Sequence, residues 1–200
     1  MIRHLRNSSI VLAALVVLGA CAGQRGVLLP EMNNWETRQA ILASLDRWEF
    51  QGRIGVSAGT EGFNGKLRWK QRDDNFEATV SGPLGAGAIE IDGGRHGVRL
   101  TDRDGAVTEM QNPELDFRER YGWTIPVRSL RYWALGIPEP GLEALTEFDA
   151  GGQLVRLEQR DWVITISQYR EGGGQPMPRR VAVVNADAKV RLVIDNWLYG

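Results

Sequence analysis

The sequence predicts an α+β domain: a long antiparallel sheet curled into an unclosed barrel, with helices over its concave apolar face. Three observations carry this. From Glu49 onward, apolar and polar residues alternate with a period of two in run after run, as in strands dry on one face and wet on the other. Turn residues separate successive runs, so neighbours in sequence should be neighbours in the sheet. A few segments show the helical period instead, and those must cover the apolar face. About eleven strands and about three helices are expected, and a sheet that long tends to curl. With helices on its inside it becomes an incomplete barrel, whose lumen holds either side chains or a ligand.

The chain has 200 residues. Arg3 and Arg6 precede an apolar run, Ile10 to Leu18, that is too short to span a bilayer as a helix. Leu18-Gly19-Ala20-Cys21 follows, and Cys21 is the sole cysteine. Small residues at Gly19 and Ala20 let a peptidase groove close over the backbone, and the next thiol can take a thioether-linked diacylglycerol. The stretch resembles the lipobox of bacterial lipoproteins. Residues 1–20 therefore read as a signal peptide with its lipobox at 18–21, residues 21–34 as a tether, and residues 35–200 as a single domain.

The whole chain has 24 Lys plus Arg, 25 Asp plus Glu and a net charge of −1. Losing the signal removes two arginines and no acid, leaving a near-neutral mature chain. A nucleic-acid binder needs a basic footprint to displace counterions, so that class is disfavoured. With Cys21 acylated, no thiol remains for a disulfide, and core burial alone must sustain the fold. No later apolar run approaches membrane-spanning length.

Asn34 can cap a helix starting at Trp35, in which Ile41, Leu42, Leu45 and Trp48 make one apolar stripe. Strands follow around Phe50/Gly52/Ile54/Val56, Leu67/Trp69, Phe76/Ala78/Val80, Ile89/Ile91 and Val98/Leu100. Gly59 to Gly62, Asp73 to Asn75, Gly93-Gly94 and Asp104-Gly105 turn the chain between them. Two helices interrupt the sheet. One runs from Pro113 to Tyr121 behind Asn112, and the other from Val127 to Leu135 between Pro126 and Gly136. Strands resume at Leu142–Phe148, Leu154–Gln159, Trp162–Tyr169, Arg180–Val184 and Lys189–Trp197, and Gly172-Gly173-Gly174 reads as a mobile loop.

Catalytic chemistry is thinly represented. His4 leaves with the signal, and His96 sits in a Gly-rich turn where a solvated histidine is the ordinary outcome. Asp73/Asp74 and Asp102/Asp104 occupy turn positions that favour aspartate for backbone hydrogen bonding. They lack the partners of a metal set. The triple glycine has no Lys-Ser or Lys-Thr behind it, and no Gly-x-Ser-x-Gly occurs. Ser81-Gly82-Pro83-Leu84-Gly85-Ala86-Gly87 places Leu84 in a loop without an obvious core to enter. Burying one leucine is worth about 1.5–3 kcal/mol, enough to help a tethered protein touch a bilayer but not to hold it there.

Phe50-Gln-Gly-Arg-Ile-Gly-Val56, Gly65-Lys-Leu-Arg-Trp69, Ser81-Gly-Pro-Leu-Gly85, Pro126 to Pro138 and Asp195-Asn-Trp197 follow in this order behind the lipobox. In these blocks the chain resembles the LolB family, outer-membrane lipoproteins that end the lipoprotein localisation pathway of Gram-negative bacteria. The resemblance implies a LolA/LolB-like half-barrel that takes the acyl chains of cargo lipoproteins from the periplasmic carrier LolA. It then releases them into the inner leaflet of the outer membrane. It also implies anchoring by diacylglycerol and an N-acyl group on Cys21, no other cofactor, no enzyme activity, and a monomer facing the periplasm. On the Pro-Leu-Gly match, Leu84 is the residue needed for release into lipid, and Ala22 in place of aspartate fits outer-membrane sorting.

Acyl chains cannot cross water unaided at about 0.8 kcal/mol per methylene. Trp69, Phe76, Ile89, Trp162, Leu130 and Trp133 are the expected lining of the cavity that would shelter them. Two other classes share the signal and the alternation. One is a scaffold lipoprotein with a solid barrel, and the other a lipid hydrolase that would need a nucleophile–base pair in the lumen.

Overall fold

The computed structural model describes residues 26–82, 88–121, 124 and 126–200. The signal segment, Cys21 and Leu84 lie outside the described residues.

Among the described residues eleven strands form one antiparallel sheet in the order β6-β5-β4-β3-β2-β1-β11-β10-β9-β8-β7. They are β1 (Arg47–Ala58), β2 (Glu61–Arg72), β3 (Asn75–Ser81), β4 (Ala88–Gly94), β5 (Gly97–Thr101), β6 (Val107–Met110), β7 (Ala144–Phe148), β8 (Leu154–Gln159), β9 (Trp162–Gly172), β10 (Gln175–Val184) and β11 (Ala188–Tyr199). Every neighbour is a neighbour in sequence except one pair, β1 with β11. The edges β6 and β7 do not meet, so the barrel is unclosed. Among the described residues three helices accompany it: α1 (Trp35–Ala43), α2 (Pro113–Tyr121) and α3 (Val127–Leu135).

The alternation sorts the two faces as expected. Ile54, Val56, Trp162, Ile164, Ile166, Val190, Leu192 and Ile194 are all buried. A bulge keeps this face continuous across the join of first and last strands. Gln51 pairs with Asn196 but Gly52 with Ile194, so Asp195 is the extra residue. Beyond it the buried positions switch from even to odd, to Trp197 and Tyr199. Gly52 is required there, because a Cβ would stand 2.2 Å from the Val193 carbonyl oxygen.

Helix α1 is capped as expected, the Asn34 side chain accepting from the Thr37 N–H at 2.8 Å. It ends at Ala43, however, and Trp48 belongs to β1, where it is buried. A helical stripe through Trp48 loses to strand pairing on both sides of β1, with Tyr199 and with Gln71. Gly172 to Gly174 also differs from expectation. Gly172 is the buried end of β9, and Gly173-Gly174 makes a tight turn with positive φ at both residues. The Gly173 carbonyl accepts from Leu29 N–H at 2.8 Å, which ties the tether to this turn. Strand β10 begins at Gln175 rather than Arg180, and β7 at Ala144 rather than Leu142. Gly93-Gly94 ends β4, leaving Arg95-His96 as the turn.

Helix α3 is the deeply seated one, burying Val127, Ser129, Leu130, Trp133, Ala134 and Leu135. Gly136 stops it in the left-handed region at φ 76°, and the Ile137 N–H closes the last turn on the Tyr132 carbonyl at 3.1 Å. The other two are shallow. Leu42 is the one buried residue of α1, and Leu115 of α2 is 49% exposed.

Candidate functional site

The register of β2, β1 and β11 stacks aromatic residues in cross-strand rows on the inner face. Phe50 stands opposite both Trp69 and Trp197, and in the next row Trp48 stands opposite Gln71 and Tyr199. Ring centroids are 6.2 Å apart for Phe50–Trp69, 5.3 Å for Phe50–Trp197 and 5.8 Å for Trp48–Trp197. Phe76 of β3 extends the layer, lying parallel to Trp69 at 4.4 Å. Such offset stacking adds to the burial energy of each ring. The polar edge of Trp69 is satisfied inside the layer: its Nε1–H donates to Gln71 Oε1 at 3.2 Å, and Gln71 Nε2 donates to the Asp73 carbonyl at 2.8 Å.

A second group sits under α3. Trp133 is fully buried, with its ring 6.3 Å from Trp162 of β9. Its indole N–H donates to Gln159 Oε1 at 2.9 Å, and the same oxygen accepts from the Glu139 backbone N–H at 2.8 Å. Gln159 Nε2 returns hydrogen bonds to the carbonyls of Glu139 at 2.9 Å and Leu142 at 3.4 Å. One buried glutamine of β8 therefore pins both α3 and the segment leaving it. Nothing in a single polar residue at a strand end marked Gln159 for this role. The nearest signal was its place beside Trp162 at a turn.

Five of the six expected lining residues are buried: Trp69, Phe76, Leu130, Trp133 and Trp162. The structure brings Trp69 to Phe76 and Trp133 to Trp162, while Ile89 is half-buried on β4. The five buried side chains belong to one continuous core and are shut off from solvent. Clefts of about 190 and 260 Å³ open along the rims of α3, sharing Val127, Arg128 and Glu139.

Charged groups hold the helices from those rims. Arg131 of α3 lies 3.6 Å from Asp74. Arg160 grips Glu114 of α2 with two hydrogen bonds of 2.9 Å and also donates to Ser129 Oγ at 3.2 Å. The Ser129 hydroxyl in turn donates to Glu139 Oε2 at 2.6 Å. Under α1, the Arg38 guanidinium donates to the Pro176 carbonyl at 2.8 Å and lies over the Tyr169 ring at 5.9 Å. Burial lowers the pKa of Arg38, raises that of the Tyr169 hydroxyl to about 12, and raises that of Tyr199 as well. The Tyr199 hydroxyl is buried without a partner among the described residues.

His96 is exposed in the β4–β5 turn, away from the inner face. Asp102 accepts from the backbone N–H groups of Asp104 and Ala106, each at 2.9 Å, which is the turn role read from the sequence. Among the described residues, no group of three or more His, Cys, Asp or Glu could hold a metal ion.

Residues 46–197 match the family model described as outer membrane lipoprotein LolB. An outer-membrane lipoprotein LolB of Pseudomonas aeruginosa is 34% identical over 198 residues, covering 92% of each chain. Its counterpart in Nitrosococcus oceani is 33% identical over 195 residues, covering 96% of this chain and 97% of the other. Among solved structures, a DUF1329 family protein from Desulfovibrio piger is similar in fold, with a TM-score of 0.50 at 7% identity over 81% of this chain and 89% of that one.

Proposed function

The chain belongs to the LolB family of outer-membrane lipoproteins, and from that premise we propose how its inner face handles lipid. The protein is an acceptor of lipoproteins at the outer membrane, not an enzyme. It receives the acyl chains of cargo on the aromatic and aliphatic layer and passes them to the inner leaflet. The periplasmic carrier LolA is the proposed donor, and acylated Cys21 the anchor.

The observation that carries this reading is an apolar inner face roofed by helices of unequal hold. Helix α1 is held by one buried side chain, Leu42, by half-buried Trp35 set edge-on to Phe148 at 4.9 Å, and by Arg38 on the Pro176 carbonyl and the Tyr169 ring, a lighter hold than the six buried residues of α3. Sheltering a chain gains about 0.8 kcal/mol per methylene removed from water, so a few methylenes repay the loss of Leu42 packing. Transfer then needs no nucleotide, only successively better apolar environments. Leu84 is proposed as the residue that enters the bilayer at the release step.

The test is a transfer assay with carrier loaded with an acylated lipoprotein and vesicles bearing this protein. Wild type should empty the carrier and deliver cargo to the bilayer. Leu84→Glu should take cargo from the carrier and keep it. A protein that never removes cargo from the carrier is a scaffold with a solid barrel, and this reading fails.

A further inference from the structure

The outer face of the sheet has a charge pattern that neither acyl-chain binding nor the fold requires. Every outward position of β2 from 66 to 72 is basic: Lys66, Arg68, Lys70 and Arg72. On β1, Arg47 stands directly opposite Arg72, and Arg53 directly opposite Lys66. Like charges facing each other across a strand pair are destabilising, so the fold bears a cost here for no structural return. Lys189 and Arg191 continue the stripe on β11. Three carboxylates offset part of it: Glu49 on Arg68 at 2.7 Å, Glu77 on Lys70 at 3.5 Å and Asp195 on Arg53 at 3.2 Å. Among the described residues, Arg47, Lys66, Lys189 and Arg191 have no carboxylate at ion-pair distance. The stripe is also hollowed, with a shallow cleft of about 730 Å³ between Arg53, Lys66 and Arg68 that the hydroxyl residues Thr79 and Ser81 help to line. Eight of the 24 Lys and Arg residues of a nearly neutral chain lie on this face.

The tether says what faces the stripe. Val27 N–H donates to the Tyr199 carbonyl at 3.3 Å, which fixes the chain to the last residues of β11. Five residues separate Val27 from Cys21, so the six steps between them reach at most about 20 Å. A lipid on Cys21 therefore keeps this end of β11 and β1 close to the bilayer. Ser81, from which the β3–β4 connection leaves, pairs with Lys66 and through it aligns with Arg53. Arg53 lies five residues along β1 from Trp48, the partner of Tyr199, a rise of about 17 Å at strand spacing. A domain standing on its tethered end would hold Ser81 away from the membrane. A domain lying on the β1–β2–β11 face brings both regions to the bilayer at once.

We propose that the basic outer face of β1, β2 and β11 is a membrane-docking surface that lies on anionic phospholipid headgroups and holds the anchored barrel on its side. A single lipid anchor combined with a basic patch is a two-signal attachment, each cation near an anionic surface adding to the binding. The cleft between Arg53, Lys66 and Arg68 presents the donors that a phosphodiester accepts from. The inference rests on the anchored reading above for the position of Cys21, and on the structure alone for the charge pattern.

The test uses the acylated mature protein reconstituted in vesicles of phosphatidylethanolamine and phosphatidylglycerol, or of phosphatidylcholine alone. A fluorophore is placed through Gln51→Cys on the outer face or through Glu119→Cys on α2, and the quencher is carried on lipid headgroups. Quenching should be strong at position 51 and weak at 119 in the anionic vesicles. It should be lost at about 1 M salt, where the screening length falls to about 3 Å. It should also be lost in the Lys66→Glu/Lys70→Glu/Arg191→Glu variant, whose substitutions are all on the outer face. Equal quenching at the two positions, or quenching indifferent to lipid charge, salt and variant, overturns the proposal. So does an unquenched position 51 combined with slower uptake from the carrier in the charge-reversed variant, which assigns the stripe to an acidic protein. A failure of lipid anchoring shows separately, as protein absent from vesicles of either composition.

Discussion

Replacing Gln159 with leucine tests whether α3 is seated on the sheet as described. The side chain is 2% exposed and makes four hydrogen bonds, two accepted and two donated. Leucine keeps the volume and removes all four. The Trp133 indole N–H then has no partner and no route to water, because Trp133 is fully buried. The Glu139 N–H and C=O are half-buried and regain part of their hydration, while the Leu142 bond, at 3.4 Å, was the weakest. A buried orphan costs about 1–3 kcal/mol, and one full plus two partial orphans total about 3–5 kcal/mol. Greater apolarity of leucine returns about 1 kcal/mol, leaving a net loss of about 2–4 kcal/mol. For a chain of this size that is a fall of roughly 5–15 °C in Tm. Chemical denaturation followed by tryptophan fluorescence and far-UV circular dichroism measures it. A loss under about 0.5 kcal/mol would refute the reasoning, since typical surface substitutions do as little.

Two further outcomes follow from the sheet. Gly52→Val drives a side chain into the Val193 carbonyl at the β11 bulge and should cost about 3 kcal/mol or more in urea unfolding, whereas Gly55→Ala, with open space around it, should be tolerated. Burial opposes the ionised form of Glu49, but hydrogen bonds from Arg68 and Gln51 outweigh it and hold its pKa below a glutamate's ordinary 4.5. Its contribution is therefore complete above that value and lost as pH falls through the lower folded value. Glu49→Gln should lower stability near neutrality and flatten the stability–pH curve on the acid side of 4.5, where the two proteins converge.

Strand count, strand order and the dry face were legible because period two leaves little freedom: Ile164 and Ile166 can be dry together only in a strand. Trp48 was misplaced because Ile41, Leu42 and Leu45 point to it at helical spacing, and local sequence carries no trace of the two strands that claim it. The start of β10 was hidden by Pro176 and Pro178, which ordinarily argue against a strand. Here Pro178 sits at a register shift, where its carbonyl accepts from the Trp197 indole at 3.2 Å. The apolar lining could be guessed from inward positions. Buried Gln159 and half-buried Arg38 could not, because such polar residues are recognisable only through partners that are distant in sequence. The parity switch at Asp195 was equally hidden, since alternation is blind to which residue will have no cross-strand partner.

The pairing of β1 with β11 joins residue 48 to residue 199, almost the full length of the domain. Closing a loop that long is entropically slow, and until it closes the two meanders β1–β6 and β7–β11 share no strand contact. During synthesis the first meander has to wait, with Trp48 and Phe50 lacking Tyr199 and Trp197 to pack on, until the final residues emerge from the ribosome. The last strand is the clasp of the domain: only when it is in place do the two meanders become one sheet.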